Sequence, residues 1–521
     1  MNTKPKAKPV QKQVENLQHL QNNPTLYQVN TRVWLTELSR ESGRQATLDD
    51  IPDSVLDGFA EMGFTWVYFL SVWQTGEAGR QISINHPGWK EGFKADIPDL
   101  TDDDICGSGF AITDYSLHKS FGKAEALIRL KERLNERGLK LMLDLVPNHT
   151  AIDHHWVKSH PEYFVQGNEQ SISKAPQNFL RVGEKIFAHG RDPYFDGWPD
   201  TLQLNYGNPA FREAMLAEIN KIAVLCDGLR CDMAMLILPD VFLRTWGINI
   251  EPFWAQAISS VKGKHPGFAF MAEVYWDREW DLQQQGFDFT YDKRLYDRLR
   301  QNEARPVREH FWAAPDYQQR SARFLENHDE PRAAGIFASD QHKAASIITF
   351  FSQGLRFFHQ GQFEGYRKRV SVHVQRKPEE KTDQDIQNFY RDLLDCLKLP
   401  VVHEGEWRLL ECTRAWEDNW TSECFIAFAW QRSESQISAW PGNPAAGSDA
   451  KTDGKAIYIV VNYSPNQAQC FVNVSAQGTD TDLGLRNLDI RMSSSTDMKF
   501  LEFTGNGFFV DFPAWGYAVL T

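Results

Sequence analysis

Four segments between Asp144 and Asp329 carry side chains able to do nucleophilic and acid–base chemistry: Asp144-Leu-Val-Pro-Asn148-His149, Asp227-Gly-Leu-Arg230-Cys-Asp232, Met271-Ala-Glu273-Val274 and Glu326-Asn327-His328-Asp329. Each reads as the end of a buried strand that delivers a carboxylate or a histidine. A double displacement at one carbon needs two carboxylates, one as nucleophile and one as acid and then base, about 5 to 5.5 Å apart. Asp232 and Glu273 end the fourth and fifth candidate strands, and adjacent strands lie about 4.7–4.9 Å apart, so that separation is within reach. Arg230 stands two residues before Asp232, on the same face of its strand, where its charge is expected to keep Asp232 ionised near neutral pH. Glu273 lies between Ala272 and Val274, an apolar setting of the kind that favours a protonated acid.

Residues this far apart meet only if the strands that carry them end on one face. Eight apolar runs are candidate strands: Leu26 to Trp34, Phe64 to Leu70, Leu139 to Leu145, Gly228 to Cys231, Gly267 to Ala272, Phe287 to Thr290, Ala322 to Leu325 and Leu355 to His359. Between them lie stretches with apolar residues at helical spacing, among them Ala124 to Arg137, Pro209 to Leu225, Phe253 to Lys262 and Gln341 to Phe351. This alternation predicts parallel strands with right-handed crossovers closing into an α/β (β/α)8 TIM barrel, whose strand ends converge on one face.

Long connections follow the second strand (Ser71 to Phe121) and the third (Thr150 to Asn205), and loops at that face build substrate clefts. After Leu399 helical spacing gives way to short alternating strands: Cys424 to Gln431, Ala456 to Val461, Gln469 to Val474 and a closing Gly507 to Leu520. The expected organisation is a mobile tail over 1–25, a barrel over 26–149 and 206–399, an insert over 150–205, and a C-terminal antiparallel β-sandwich over 400–521. Ser433 to Gly454, rich in Pro, Gly and Ser, is expected to be a mobile surface loop.

The order and spacing of the four segments resemble those of the α-amylase superfamily, glycoside hydrolase family 13, and the likeness runs from Tyr27 to Leu399. The resemblance implies that Asp232 is the nucleophile, Glu273 the acid/base and Asp329 the acid that stabilises the distorted transition state. It implies that His149 and His328 bind hydroxyls of the sugar being cleaved, together with Arg230. Phe110 stands where the family stacks a tyrosine on that sugar, so stacking is kept and a hydroxyl is lost. Position 148 often ligates structural calcium in the family, which makes Asn148 a candidate ligand; no cofactor is otherwise required. The 150–205 insert corresponds to the family's small domain B.

Two departures bear on specificity. Gly107-Ser-Gly-Phe110 replaces the Asp-Asn-Gly-Tyr run of many exo-acting α-glucosidases, which disfavours a pure exo-glucosidase pocket. Asp232-Met-Ala-Met235-Leu236 replaces the Lys-His that many endo-amylases carry just after the nucleophile, so the leaving side is expected to be more apolar. Trp73 and Trp198 are candidates for stacking on sugar or for core packing.

The formal charge of -13 argues against a nucleic-acid partner, which would select a basic face. No secretory signal and no run of about 18 apolar residues is present, so a membrane span is not expected. Seven scattered cysteines without Cys-x-x-Cys spacing favour reduced thiols and a cytoplasmic setting, and Cys231 is read as packing. The expected activity is hydrolysis of α-1,4-glucosidic bonds in malto-oligosaccharides or α-glucan. The alternatives are transglycosylation, action on a small α-glucoside such as sucrose or trehalose, and a non-catalytic glycan-binding protein.

Overall fold

The structure, a computed structural model, describes residues 22–432, 455–474, 489–494, 499–504 and 507–521. The expected tail up to residue 21 and the expected Ser433–Gly454 loop lie outside the described residues.

Eight parallel strands close into a barrel in chain order: Thr25–Asn30, Trp66–Leu70, Lys140–Leu145, Gly228–Cys231, Ala269–Ala272, Phe289–Tyr291, Ser321–Arg323 and Leu355–His359. The first strand is shorter than its apolar run suggests. Asn30 ends it because its side chain accepts from the Val33 amide at 3.3 Å, capping a helix over Thr31–Ser42 that takes in the rest of the run. Helices such as Ala124–Asn135 and Pro209–Leu225 cover the outside of the barrel, pressing Leu127, Leu130, Phe211 and Met215 into the core.

The connection after the second strand forms helices over Glu77–Asn85 and Pro87–Asp96, which lie between the antiparallel strands Trp73–Thr75 and Ile112–Leu117. The connection after the third strand leaves and returns through an antiparallel pair, His149–Ala151 with Thr201–Gln203, so both ends of the insert are anchored beside the barrel mouth.

The C-terminal region is two antiparallel sheets. The five-stranded sheet contains Glu406–Leu409, Phe425–Gln431, Ala456–Asn462, Tyr517–Leu520 and Ile490–Ser493, and the four-stranded sheet contains Glu411–Thr413, Ala468–Asn473, Gly507–Phe512 and Lys499–Thr504. Gly507 to Leu520, expected as one closing strand, is two strands in different sheets. The chain turns at Pro513–Gly516, where proline cannot donate to a ladder and Trp515 takes a φ of 58°. Trp430 Nε1 donates to the Phe351 carbonyl at 2.7 Å and Tyr463 Oη to that of Leu299 at 2.7 Å, joining this region to the barrel's outer helices.

Candidate active site

Register brings the acids together. Arg230 is level with Met271 and Cys231 with Ala272, so Asp232 and Glu273, one residue further along, leave neighbouring strands side by side. Backbone bonds continue past the strand ends: Asp232 N donates to Leu145 O at 2.8 Å and Glu273 N to Cys231 O at 3.0 Å. The carboxylates are therefore set by the rigid ladder.

One buried guanidinium ties them. Arg230 Nη1 donates to Asp232 Oδ1 at 2.8 Å, Nη2 donates to Glu273 Oε2 at 2.7 Å, and Asp329 Oδ2 lies 4.0 Å from Nη2. Arg230 also donates from Nε to Tyr291 Oη at 3.3 Å and packs its guanidinium on the Phe110 ring, 5.2 Å from the centroid. A fully buried cation needs this ring of acceptors, since burying it unpaired would cost several kcal/mol.

The charge balance differs from the expectation drawn from Arg230 alone. Burial is the largest influence on Asp232 and, with repulsion from Glu273, outweighs Arg230, pushing its carboxyl above the usual range. Glu273 is also less apolar in its surroundings than its sequence neighbours imply, because it accepts from Arg230, from the Met233 amide at 2.8 Å and from Tyr275 Oη at 2.8 Å. Asp329 behaves oppositely. Its side chain is 44% exposed to the cleft, and His328 and Arg230 outweigh desolvation and hold its carboxyl below the usual range.

Both histidines are oriented. Gln28 Nε2 lies 2.9 Å from His328 Nδ1, which leaves Nε2 to face Asp329 Oδ2 at 3.0 Å. His149 packs against Trp198 with centroids 5.2 Å apart, and burial lowers its pKa to about 3, so it serves as a neutral hydrogen-bonding ring. Phe110 stacks on His328 with centroids 5.3 Å apart.

These residues surround a cavity of about 270 Å³ whose lining includes Phe110, His149, Asp232, Glu273 and Asp329, with Arg230 packed beneath. The same wall carries residues that the sequence did not single out: Trp89, Ser108, Asp200, Met233, Tyr275 and His373. Of the two tryptophan candidates Trp198 lines the cavity, whereas Trp73 is fully buried and donates from Nε1 to Asp144 O at 2.7 Å. Met235 and Leu236 are core, so Met233 supplies the apolar contact just after Asp232. Cys231 is buried and its thiol pushed up by burial, as packing requires.

Asn148 does not sit in a cation cage. Its backbone oxygen and its Oδ1 both accept from Gln203 Nε2, at 2.9 and 3.0 Å, and Leu204 O accepts from the same nitrogen at 3.2 Å. Three oxygens that could face a hard cation face an amide NH₂ instead, and rotating the Gln203 amide would set oxygen against oxygen. Among the described residues no three His, Cys, Asp or Glu side chains cluster as metal ligands, and the donor set at Asn148 does not fit calcium.

The barrel, its acid-bearing strand ends and the shared arginine define an enzyme that acts on glycosidic bonds. The family model for the α-amylase catalytic domain matches residues 56–394, and the chain belongs to the α-amylase family. Alpha-amylase 3 of Dictyoglomus thermophilum is 26% identical over 311 residues, covering 54% of this chain and 58% of that protein. Trehalose synthase/amylase TreS of Mycolicibacterium smegmatis is 25% identical over 275 residues, covering 45% of this chain and 44% of TreS. The chain thus spans about half the length of these curated relatives. The noncanonic maltogenic α-amylase AmyB of Thermotoga neapolitana has a similar fold, with a TM-score of 0.63 at 18% identity over 96% of this chain and 98% of that one. No helix among the described residues is long and apolar enough to cross a membrane.

Proposed function

We propose that this enzyme is a retaining α-glycosidase that hydrolyses α-1,4-glucosidic bonds in malto-oligosaccharides or α-glucan. The observation that supports this most is the single buried guanidinium shared by Asp232 and Glu273, which brings the two carboxylates that a double displacement needs onto one side chain. Glu273 protonates the leaving oxygen while Asp232 attacks the anomeric carbon and forms a β-glycosyl ester. Glu273, now ionised, takes a proton from water, which attacks the same carbon and releases Asp232. Asp329, His149 and His328 bind hydroxyls of the sugar as it flattens, and Phe110 packs on its face. No step uses a metal or cofactor. A cytoplasmic setting belongs to the same reading and is supported by seven cysteines that are all free.

A second reading, transfer between sugars or cleavage of a small α-glucoside, is favoured by the cavity itself. Its 270 Å³ falls just below the range of about 300–1,000 Å³ typical of small-molecule pockets. Chromatography of products from maltoheptaose, starch, isomaltose, sucrose and trehalose separates the two. Short maltodextrins from the first two substrates support hydrolysis of α-1,4 bonds. Products longer than the substrate indicate transfer, and turnover of a disaccharide alone indicates the small-glucoside enzyme. No turnover of any of them sinks both.

A further inference from the structure

Asp200 has no role in the chemistry above. It lines the cavity between Trp198 and Thr201, on the side of His149, and is only 3% exposed. Its Oδ2 is sealed from solvent and has no hydrogen-bond partner among the described residues. Among the described residues no other side chain or amide compensates the carboxyl, in contrast to Asp232, Glu273 and Asp329. Burial raises its pKa to about 6, and only its own backbone N–H opposes the rise.

Gly79, on the helix Glu77–Asn85, packs near Asp200: a Cβ added there would meet Asp200 Cβ at 3.9 Å and Ala111 Cβ at 3.7 Å, ordinary contact distances. Asp200 directly precedes Thr201, which starts the strand that pairs with His149–Ala151, so it stands at the end of the ladder that carries His149. Thr201 Oγ1 donates to Trp198 O at 2.9 Å, and Gly190 N donates to Thr201 Oγ1 at 3.1 Å, so both neighbours of the Asp200 loop are fixed. The nearby histidines, His149, His189 and His373, all have pKa values lowered by burial and supply no positive charge.

An uncompensated acid in a pocket wall lowers the stability of the empty protein, and a ligand that draws the carboxyl round toward the cavity would complete its hydrogen bonding. We infer that Asp200 is a substrate-binding residue that takes a hydroxyl of the glycosyl unit on the His149 side of the pocket, and so sets which sugars the site accepts. This rests on the proposed action on α-glucosides. A sugar hydroxyl can both donate and accept, so it satisfies the carboxyl in either protonation state. A sugar lacking that hydroxyl would leave the acid buried and unpaired, which is a strong route to discrimination.

The test is titration calorimetry with maltotriose and maltose on the D232N protein, which cannot turn them over, and on the same protein carrying D200A or D200N, each with a thermal melt. The expected result is that D200A weakens binding about tenfold or more while its melting temperature near pH 7.5 stays equal or rises, because an unpaired buried charge has been removed. D200N, which keeps a donor and an acceptor, recovers part of the affinity. Affinity within twofold of the parent in both variants overturns the inference. Weaker binding accompanied by a lower melting temperature in both variants also overturns it, since that marks a structural role. If the D232N parent binds neither sugar, the proposed activity fails and this inference falls with it; if the parent binds and the variants match it, only Asp200 is reassigned.

Discussion

Arg230 Nη2 donates to Glu273 Oε2 at 2.7 Å from the same guanidinium whose Nη1 donates to Asp232. The fork geometry of arginine is what allows one cation to fix two carboxylates on neighbouring strands, and lysine offers a point charge in its place. Arg230→Lys is expected to lower kcat/KM by about 10²–10³-fold on any substrate the wild type turns over, measured by steady-state kinetics. A loss smaller than tenfold would show that the ladder alone positions the acids.

Glu273 faces Tyr275 Oη at 2.8 Å on its other oxygen. Glu273→Gln removes the proton donor but should spare the first step on glycosyl fluorides, whose leaving group needs little protonation. Single-turnover glycosylation is expected to fall by more than 10²-fold on a natural glycoside and by less than tenfold on the fluoride. Equal losses would remove the acid role from Glu273. Asp232→Asn should abolish turnover of both, since it removes the attacking carboxylate.

The barrel and the four acid-bearing strand ends were legible because their signals are local: an apolar run, then a carboxylate or histidine at its end. What completes the site was not legible, because it depends on chain segments distant in sequence. Gln28, which orients His328, lies 300 residues away from it, on the first strand. Tyr275 follows an ordinary strand end, and only the turn beyond Glu273 brings its hydroxyl back. Asp200 lies within the long connection Thr150 to Asn205 with no sequence mark of its own, and its burial and unpartnered oxygen distinguish it. Trp73 and Trp198 had the same sequence signal, and the antiparallel pairing of Trp73–Thr75 with Ile112–Leu117 turned one into core. The end of the first strand was misplaced for a related reason: the apolar pattern runs on through Trp34, and a single Asn30 cap overrides it.

The surplus of burial over ion pairing at Asp232 has a kinetic consequence. The step that needs Asp232 ionised should gain rate as pH rises through its raised pKa, so the acid limb of the kcat/KM profile should lie clearly above the ordinary aspartate value of about 3.9. A pH–rate profile places that limb. A limb at or below 4 would mean that Arg230 outweighs burial.

Gln203 Nε2 meets the backbone oxygen and Oδ1 of Asn148, so this corner of the barrel mouth should need no metal. EDTA is expected to shift neither the melting temperature nor the rate, and added calcium should not raise Tm, since a ligand stabilises only what binds it. Gln203→Glu replaces the NH₂ donor with an acceptor facing three oxygens and should lower Tm, with calcium restoring part of the loss. A Tm drop of several degrees in wild-type protein on EDTA would place a cation at this corner.

Outside the pocket the barrel contains another buried charge cluster that serves stability. Asp292 is fully buried and accepts from His310 Nε2 at 2.8 Å, from Arg323 Nε at 3.0 Å and from the Leu295 amide at 3.1 Å, capping the helix Lys293–Arg300. Burial works against the charge, but His310 and Arg323 outweigh it and hold this carboxyl well below its usual range. Because the folded pKa is depressed, the stabilisation is present above the unfolded value of about 3.9 and is lost as pH falls below it. Asp292→Asn should therefore cost about 3–5 kcal/mol at pH 7 in urea unfolding, mostly by leaving Arg323 buried without its anion. The difference from wild type should shrink as pH falls below about 4. A cost that stays constant from pH 7 to pH 3 would assign the loss to packing or to the helix cap and remove the charge from the argument.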